Sequence, residues 1–162
     1  MLTIRKSIGL IALLVALGAS GTAEAKGKAT HKYTSTVQTA PLATGDGYPA
    51  PGGTAVIAGT LETKPLGSGA VVDRVTITGQ PAPNVFAFEG KETDFFAAGT
   101  MRNTFTGTST VQADGSQVLA VEGHYTGGTA RYRGVSGRYT FNGTVASGST
   151  LLVGHSSGKV AY

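Results

Sequence analysis

The sequence predicts an all-β domain, a sandwich or a closed barrel, preceded by an export leader. Three observations predict it. Gly accounts for 25 of 162 residues and Thr is nearly as common; both are poor helix formers that suit strands and turns. About eight short segments alternate apolar and polar residues with period two, the pattern of a half-buried strand. No amphipathic stretch of three helical turns occurs after the first 25 residues. A mean hydropathy near zero with 40% apolar residues excludes a disordered chain. The absence of cysteine excludes disulfides, thiolate metal sites and a cysteine nucleophile together.

The leader is read from its order. Arg5 and Lys6 open it, residues 8–17 (IGLIALLVAL) form a ten-residue apolar run, and residues 18–25 are small and polar, ending Ala23-Glu24-Ala25. That is the order of a secretory signal peptide, with cleavage expected between Ala25 and Lys26. Ten apolar residues fall short of the roughly 20 a spanning helix needs, so no membrane span is expected in the mature chain. The expected location is periplasmic or extracellular. Residues 26–32 then read as a flexible lead, and residues 33–162 as one β domain.

The elements follow in order. Residues 33–39 (YTSTVQT) form a first strand, and residues 40–53 a loop dense in Pro, Gly and Asp. Residues 54–63 and 70–78 are apolar and β-prone, joined by a Gly-Ser-Gly link; Gly79 to Pro83 (GQPAP) breaks the chain again. Residues 84–89 place Phe86 and Phe88 on one face. Residues 91–98 (KETDFFAA) are the one rival to strand and suit a single helical turn. Residues 99–111 alternate most clearly, with Thr104, Thr106, Thr108 and Thr110 on one face and Phe105, Gly107 and Val111 on the other. Asp114-Gly115 is a hairpin signal leading to residues 117–125. Residues 139–145 and 149–162 supply the last strands, and Asn142-Gly143 is a further candidate turn.

Charge narrows the partners. The net charge is +4, and removing Arg5, Lys6 and Glu24 with the leader lowers it by one. Lys26, Lys28 and Lys32 gather at the mature amino terminus. No dense basic stripe with interleaved aromatics appears, so no nucleic-acid partner is expected. No Gly-x-Ser-x-Gly elbow supports a hydrolase. His31, His124 and His155 are isolated in sequence, and no metal site is expected. Glu122 and His124 share a strand face, but it opposes the stronger apolar face, so the pair is expected in solvent.

The most distinctive segment is residues 127–137, Gly-Gly-Thr-Ala-Arg-Tyr-Arg-Gly-Val-Ser-Gly. It resembles the glycine-rich hairpin of the allene oxide cyclase and dirigent protein superfamily. Gly127, Gly128, Thr129, Tyr132, Gly134, Val135 and Gly137 match that pattern in register, while Ala130 stands where the family usually has Gly. The half from about Gly99 onward looks most like the barrel of small secreted bacterial members. The resemblance implies an eight-stranded antiparallel β-barrel, calycin-like, with an apolar cavity and no metal or organic cofactor. Plant relatives close a ring in an unsaturated epoxide or steer radical coupling of phenols. The cyclase's cysteine has no counterpart here, and no catalytic residue carries over. The physical reading of Gly127, Gly128, Gly134 and Gly137 is structural, since glycine permits tight turns and close backbone approach.

Alternation also nominates an interior. Leu119, Val121 and Tyr125 share a face, as do Tyr139, Phe141 and Val145, and Phe105 and Tyr132 are expected to join them. Such rings suit a small apolar or aromatic guest, with hydroxyls fixing its orientation; they equally suit a solid core. The candidate ligand-binding residues are therefore Phe105, Tyr125, Tyr132 and Tyr139. Three functions fit: a non-catalytic binding or structural barrel, a cofactor-free cyclase or isomerase that positions a reactive intermediate, and a small outer-membrane barrel. Against the last stand the Thr-rich face and the scarcity of aromatics.

Overall fold

In a computed structural model, residues 28–162 are described. Residues 1–27, including the expected leader and cleavage site, lie outside them. The eight strands are β1 (Thr30–Thr44), β2 (Thr54–Lys64), β3 (Gly67–Ala82), β4 (Val85–Phe96), β5 (Gly99–Val111), β6 (Gln117–Gly128), β7 (Ser136–Val145) and β8 (Leu152–Ala161). Each pairs antiparallel with its sequence neighbour, and β1 pairs with β8, closing the barrel. Closure leaves no unpaired strand edge.

Glycine shapes the interior by making room for rings. Gly90 lies opposite Phe105, and Gly107 opposite Phe88, across β4 and β5. Gly123 lies opposite Tyr139 across β6 and β7. A Cβ at any of these three glycines would run into the facing ring. A large ring beside a bare backbone fills space that two side chains would overfill. The rings form two clusters. Tyr33, Met101, Tyr125, Tyr132, Val135, Tyr139 and Val160 pack at one end, and Val75, Ile77, Phe88 and Phe105 toward the other.

Several segments depart from the sequence expectations. The first strand begins at Thr30, so the last residues of the expected lead belong to β1, which also runs on to Thr44. Residues 79–82 stay within β3, where register shifts on either side of Gly79 accommodate Pro81; a bulge spares a proline the ladder donor it lacks. Residues 91–96 are strand, not a helical turn, because both neighbouring strands pair with them. Asn142-Gly143 lies inside β7, paired with β6 and β8, and is no turn. Asp114-Gly115 does form its turn: Gly115 takes φ +83°, and the Ser116 amide donates to Asp114 Oδ1 at 2.9 Å.

The glycine-rich segment closes one end of the barrel. A 3-10 turn, η1 (Ala130–Tyr132), follows β6. It drops the Tyr132 ring between Phe96, at 5.7 Å, and Tyr162, at 5.3 Å. Gly137 has φ +146°, and a Cβ there would strike the Lys159 backbone, so only glycine fits. Ala130 takes φ +48°, a left-handed conformation that penalises a side chain. Ala130→Gly is therefore expected to leave stability unchanged or raise it by up to about 1 kcal/mol. A loss above that in a urea titration would show that the Ala130 methyl group matters more than its backbone.

The exterior mixes polar and charged side chains with a few exposed apolar ones, Leu42, Phe95, Val118, Leu151 and Val153 among them. The register aligns Lys32 with Lys159, Lys159 with Arg138, and Arg138 with His124, one residue per strand over four strands. All four are exposed. This row was invisible in sequence because its members are far apart along the chain. Among the described residues, no helix is long and apolar enough to cross a membrane.

Candidate functional site

A cavity of about 80 Å³ runs along the barrel interior, from Leu66 and Phe96 to Ile57 and Leu152. A water needs roughly 10–15 Å³ on this kind of measure, so there is room for about five to eight water-sized groups. Phe105, Tyr125 and Tyr139 line the cavity, placed there by the alternation of β5, β6 and β7. Tyr132 does not: it belongs to η1 and plugs the barrel end. The period-two rule that nominated it does not apply in a turn.

The tyrosines form a layer across the barrel. The rings of Tyr125 and Tyr139 are 5.6 Å apart, and Tyr33 stands 6.0 Å from Tyr125 and 6.4 Å from Tyr139, edge to face with both. Edge-to-face contact suits the ring quadrupole. The Tyr139 hydroxyl donates to Asn103 Oδ1 at 2.8 Å, and Asn103 Nδ2 donates to Glu92 Oε1 at 2.5 Å. Thr63 Oγ1 donates to Ser35 Oγ at 3.2 Å on the opposite wall. Burial pushes the phenols of Tyr33, Tyr125 and Tyr139 well above their ordinary value, so they remain protonated donors.

Three further side chains lie at the heart of the site: Asp73, Glu92 and Asp94. Asp73 on β3 faces Glu92 on β4 across the ladder, and Asp94 lies two residues beyond Glu92 on the same face. Asp73 and Asp94 are each within hydrogen-bond reach of Glu92. All three carboxyls line the cavity, whose wall among the described residues holds no Lys, Arg or His. Burial raises all three above the ordinary carboxylate range, and the neighbouring acid charge raises Asp73 and Asp94 further. Hydrogen bonds from Asn103, Asp94 and Asp73 oppose the rise at Glu92. Asn103 is thus a donor fixed on Glu92, while Asp73 and Asp94 share the same buried wall, and all three carboxyls hold protons more tightly than they would in water. Asp73 Oδ1 and Thr39 Oγ1, both buried on residues of the cavity wall, have no hydrogen-bond partner.

The remaining candidates sit outside the barrel. Glu122 and His124 are exposed on β6, and His124 Nε2 lies 3.1 Å from Thr104 Oγ1. His155 Nδ1 lies 3.3 Å from Thr36 Oγ1, and the His31 ring stacks near Tyr162 at 5.0 Å. Among the described residues, no group of His, Asp and Glu has the geometry to hold a metal ion.

Fold and site together define a small closed β-barrel with an aromatic interior and an acidic patch in its wall. No protein-family model matches the chain, and neither the curated proteins nor the solved structures searched contain a match.

Proposed function

We propose that this is an exported barrel that binds one small apolar or aromatic molecule in its interior. The observation that carries the reading is the cavity itself. Rings of Phe88, Phe105, Tyr125 and Tyr139 wall it, while polar groups at fixed positions are available to orient a guest. The composition of residues 1–25 supports a periplasmic or extracellular setting, and the pattern of residues 127–137 supports kinship with the allene oxide cyclase and dirigent barrels.

Cavity size sets the test. A single-ring compound such as toluene or phenol is expected to bind the folded protein with about one-to-one stoichiometry, shifting the Phe105 and Tyr139 ring resonances in NMR spectra. If no single-ring compound shifts those resonances, the binding reading is wrong and the rings serve only as a core.

A second reading, a cofactor-free cyclase or isomerase, is favoured by one observation. The run from Tyr139 through Asn103 to Glu92 lies beside Asp73 and Asp94, buried carboxyls whose proton affinity is raised, the kind of group that can give or take a proton next to a positioned guest. Conversion of an unsaturated epoxide, or of a phenol radical, to a single product would support it. An outer-membrane placement draws no support from the exterior, where Lys32, Arg138 and Lys159 are exposed in positions that lipid would penalise.

A further inference from the structure

We propose that the guest is a small protonated amine with an apolar or aromatic body, its ammonium held by the Asp73–Glu92–Asp94 cluster. The inference rests on the reading of the barrel as a binding protein and adds the chemical class of its ligand.

The carboxyls converge from two adjacent strands onto one side of the cavity. Among the described residues, no cation of the chain lines that wall. A buried acid cluster without a counter-cation is costly, and proteins ordinarily pair or neutralise such groups. Here Asp73 Oδ1 is buried without any hydrogen bond, so the cluster retains unused acceptor capacity. Glu92 accepts from Asn103 and is thereby held in place, which pre-organises an acceptor for a donor arriving from the cavity. An ammonium has three donors and no acceptor, the complement of this wall.

The rest of the lining selects the body of the ligand. Tyr33, Tyr125, Tyr139 and Phe105 offer ring faces and edges, and rings attract an organic cation as well as its apolar carbons. Carboxyls confined to one side, with no grouping fit for metal ligation, favour an ammonium over a metal ion. The cavity of about 80 Å³ admits about five to eight non-hydrogen atoms, the scale of butylamine or benzylamine.

Binding should be linked to protons. The titratable groups facing the cluster are Asp73 on β3, Glu92 and Asp94 on β4, Tyr33 on β1, Tyr125 on β6 and Tyr139 on β7. The neighbouring strands β2, β5 and β8 contribute the uncharged Thr63, Asn103 and Ser156. The acids are raised by burial and the tyrosines stay neutral, so protons and an arriving ammonium compete for the same carboxyls. Affinity for an amine should rise with pH until the amine itself loses its proton.

Isothermal titration with benzylamine and its neutral counterpart benzyl alcohol tests this. Near pH 8 benzylamine is expected to bind about tenfold or more tighter, and the advantage should shrink toward about pH 5 as the carboxyls fill with protons. Repeating the titration in buffers of different ionisation enthalpy should reveal proton release on amine binding only. Glu92→Gln should reduce amine affinity about tenfold while leaving benzyl alcohol affinity within about twofold. Asp94→Asn, which leaves the Asn103 hydrogen bond intact, provides the same readout should Glu92→Gln fail to fold. Equal binding of amine and alcohol would overturn the amine inference and leave the binding barrel standing. A tighter amine that neither substitution weakens would also overturn it, since the ammonium would then sit elsewhere. Binding of neither compound would remove both readings.

Discussion

Tyr139→Ala is expected to destabilise the barrel by about 3–5 kcal/mol, the range for truncating a buried aromatic. The ring covers Gly123, which has no side chain to fill the gap, and packs against Tyr33 and Tyr125. Neighbouring strands are fixed by a closed ladder, so the wall has little freedom to collapse inward. The hydroxyl adds its own share. Its loss deprives Asn103 Oδ1 of its donor, a desolvated acceptor left alone at about 1–3 kcal/mol. Tyr139→Phe should therefore show that smaller part by itself. Urea unfolding of the two variants separates the terms. Because the cavity is narrow, the ring both supports the fold and borders the guest space, so Tyr139→Ala should also alter binding of a single-ring compound. A stability loss under about 1 kcal/mol would mean that the ring already borders open space.

Raising the pH is expected to weaken the fold. A carboxyl whose folded value is raised binds its proton more tightly in the native state than in the unfolded chain. Its contribution is fully present below the ordinary carboxyl range, which starts near 3.8 for Asp73 and Asp94 and 4.5 for Glu92. It is lost as pH climbs through the raised folded values. This is the reverse of the usual salt-bridged acid, which loses stability as pH falls. The thermal midpoint of the ligand-free protein should thus decline from about pH 4 toward neutrality. Asp73→Asn and Asp94→Asn should flatten that decline and stabilise the protein at neutral pH, by about 1.4 kcal/mol for each pH unit over which ionisation of the buried acid is penalised. A wild-type profile that rises from about pH 4 to pH 7, with no flattening in the variants, would show that the cluster is ionised without penalty.

Much of the fold was legible because strand alternation is a local property. The Thr104 to Thr110 stripe, the Asp114-Gly115 turn and the inward rings of β6 and β7 can each be read from a few consecutive residues. Segments misread by pattern were those where tertiary pairing overrode a local signal. Residues 91–96 carry helix-compatible residues, yet the ladders on both sides hold them extended. Asn142-Gly143 has turn chemistry but lies where β6 and β8 need a partner.

The site was legible in part. Phe105, Tyr125 and Tyr139 follow from alternation alone. Asp73 left a signal too, since it shares a face with Val71, Val75 and Ile77, an acid where the pattern calls for an apolar residue. Glu92 and Asp94 left none while their segment read as a helical turn; as strand, they continue the inward face of Phe88 and Gly90. Asn103 reads in sequence as one polar residue among threonines, and its role comes from a tyrosine 36 positions away.

The all-β character, the inward rings and the glycines around residues 127–137 can be read from the chain alone, because each depends on backbone preference and side-chain period within one segment. It is the assembled barrel that brings three acids from β3 and β4 to one cavity, makes Tyr132 seal an end rather than line the interior, and aligns Lys32, Lys159, Arg138 and His124 in one exterior row. Those outcomes depend on register between strands and on closure of the barrel. Register is set by the sum of contacts across every ladder, so no single segment contains it.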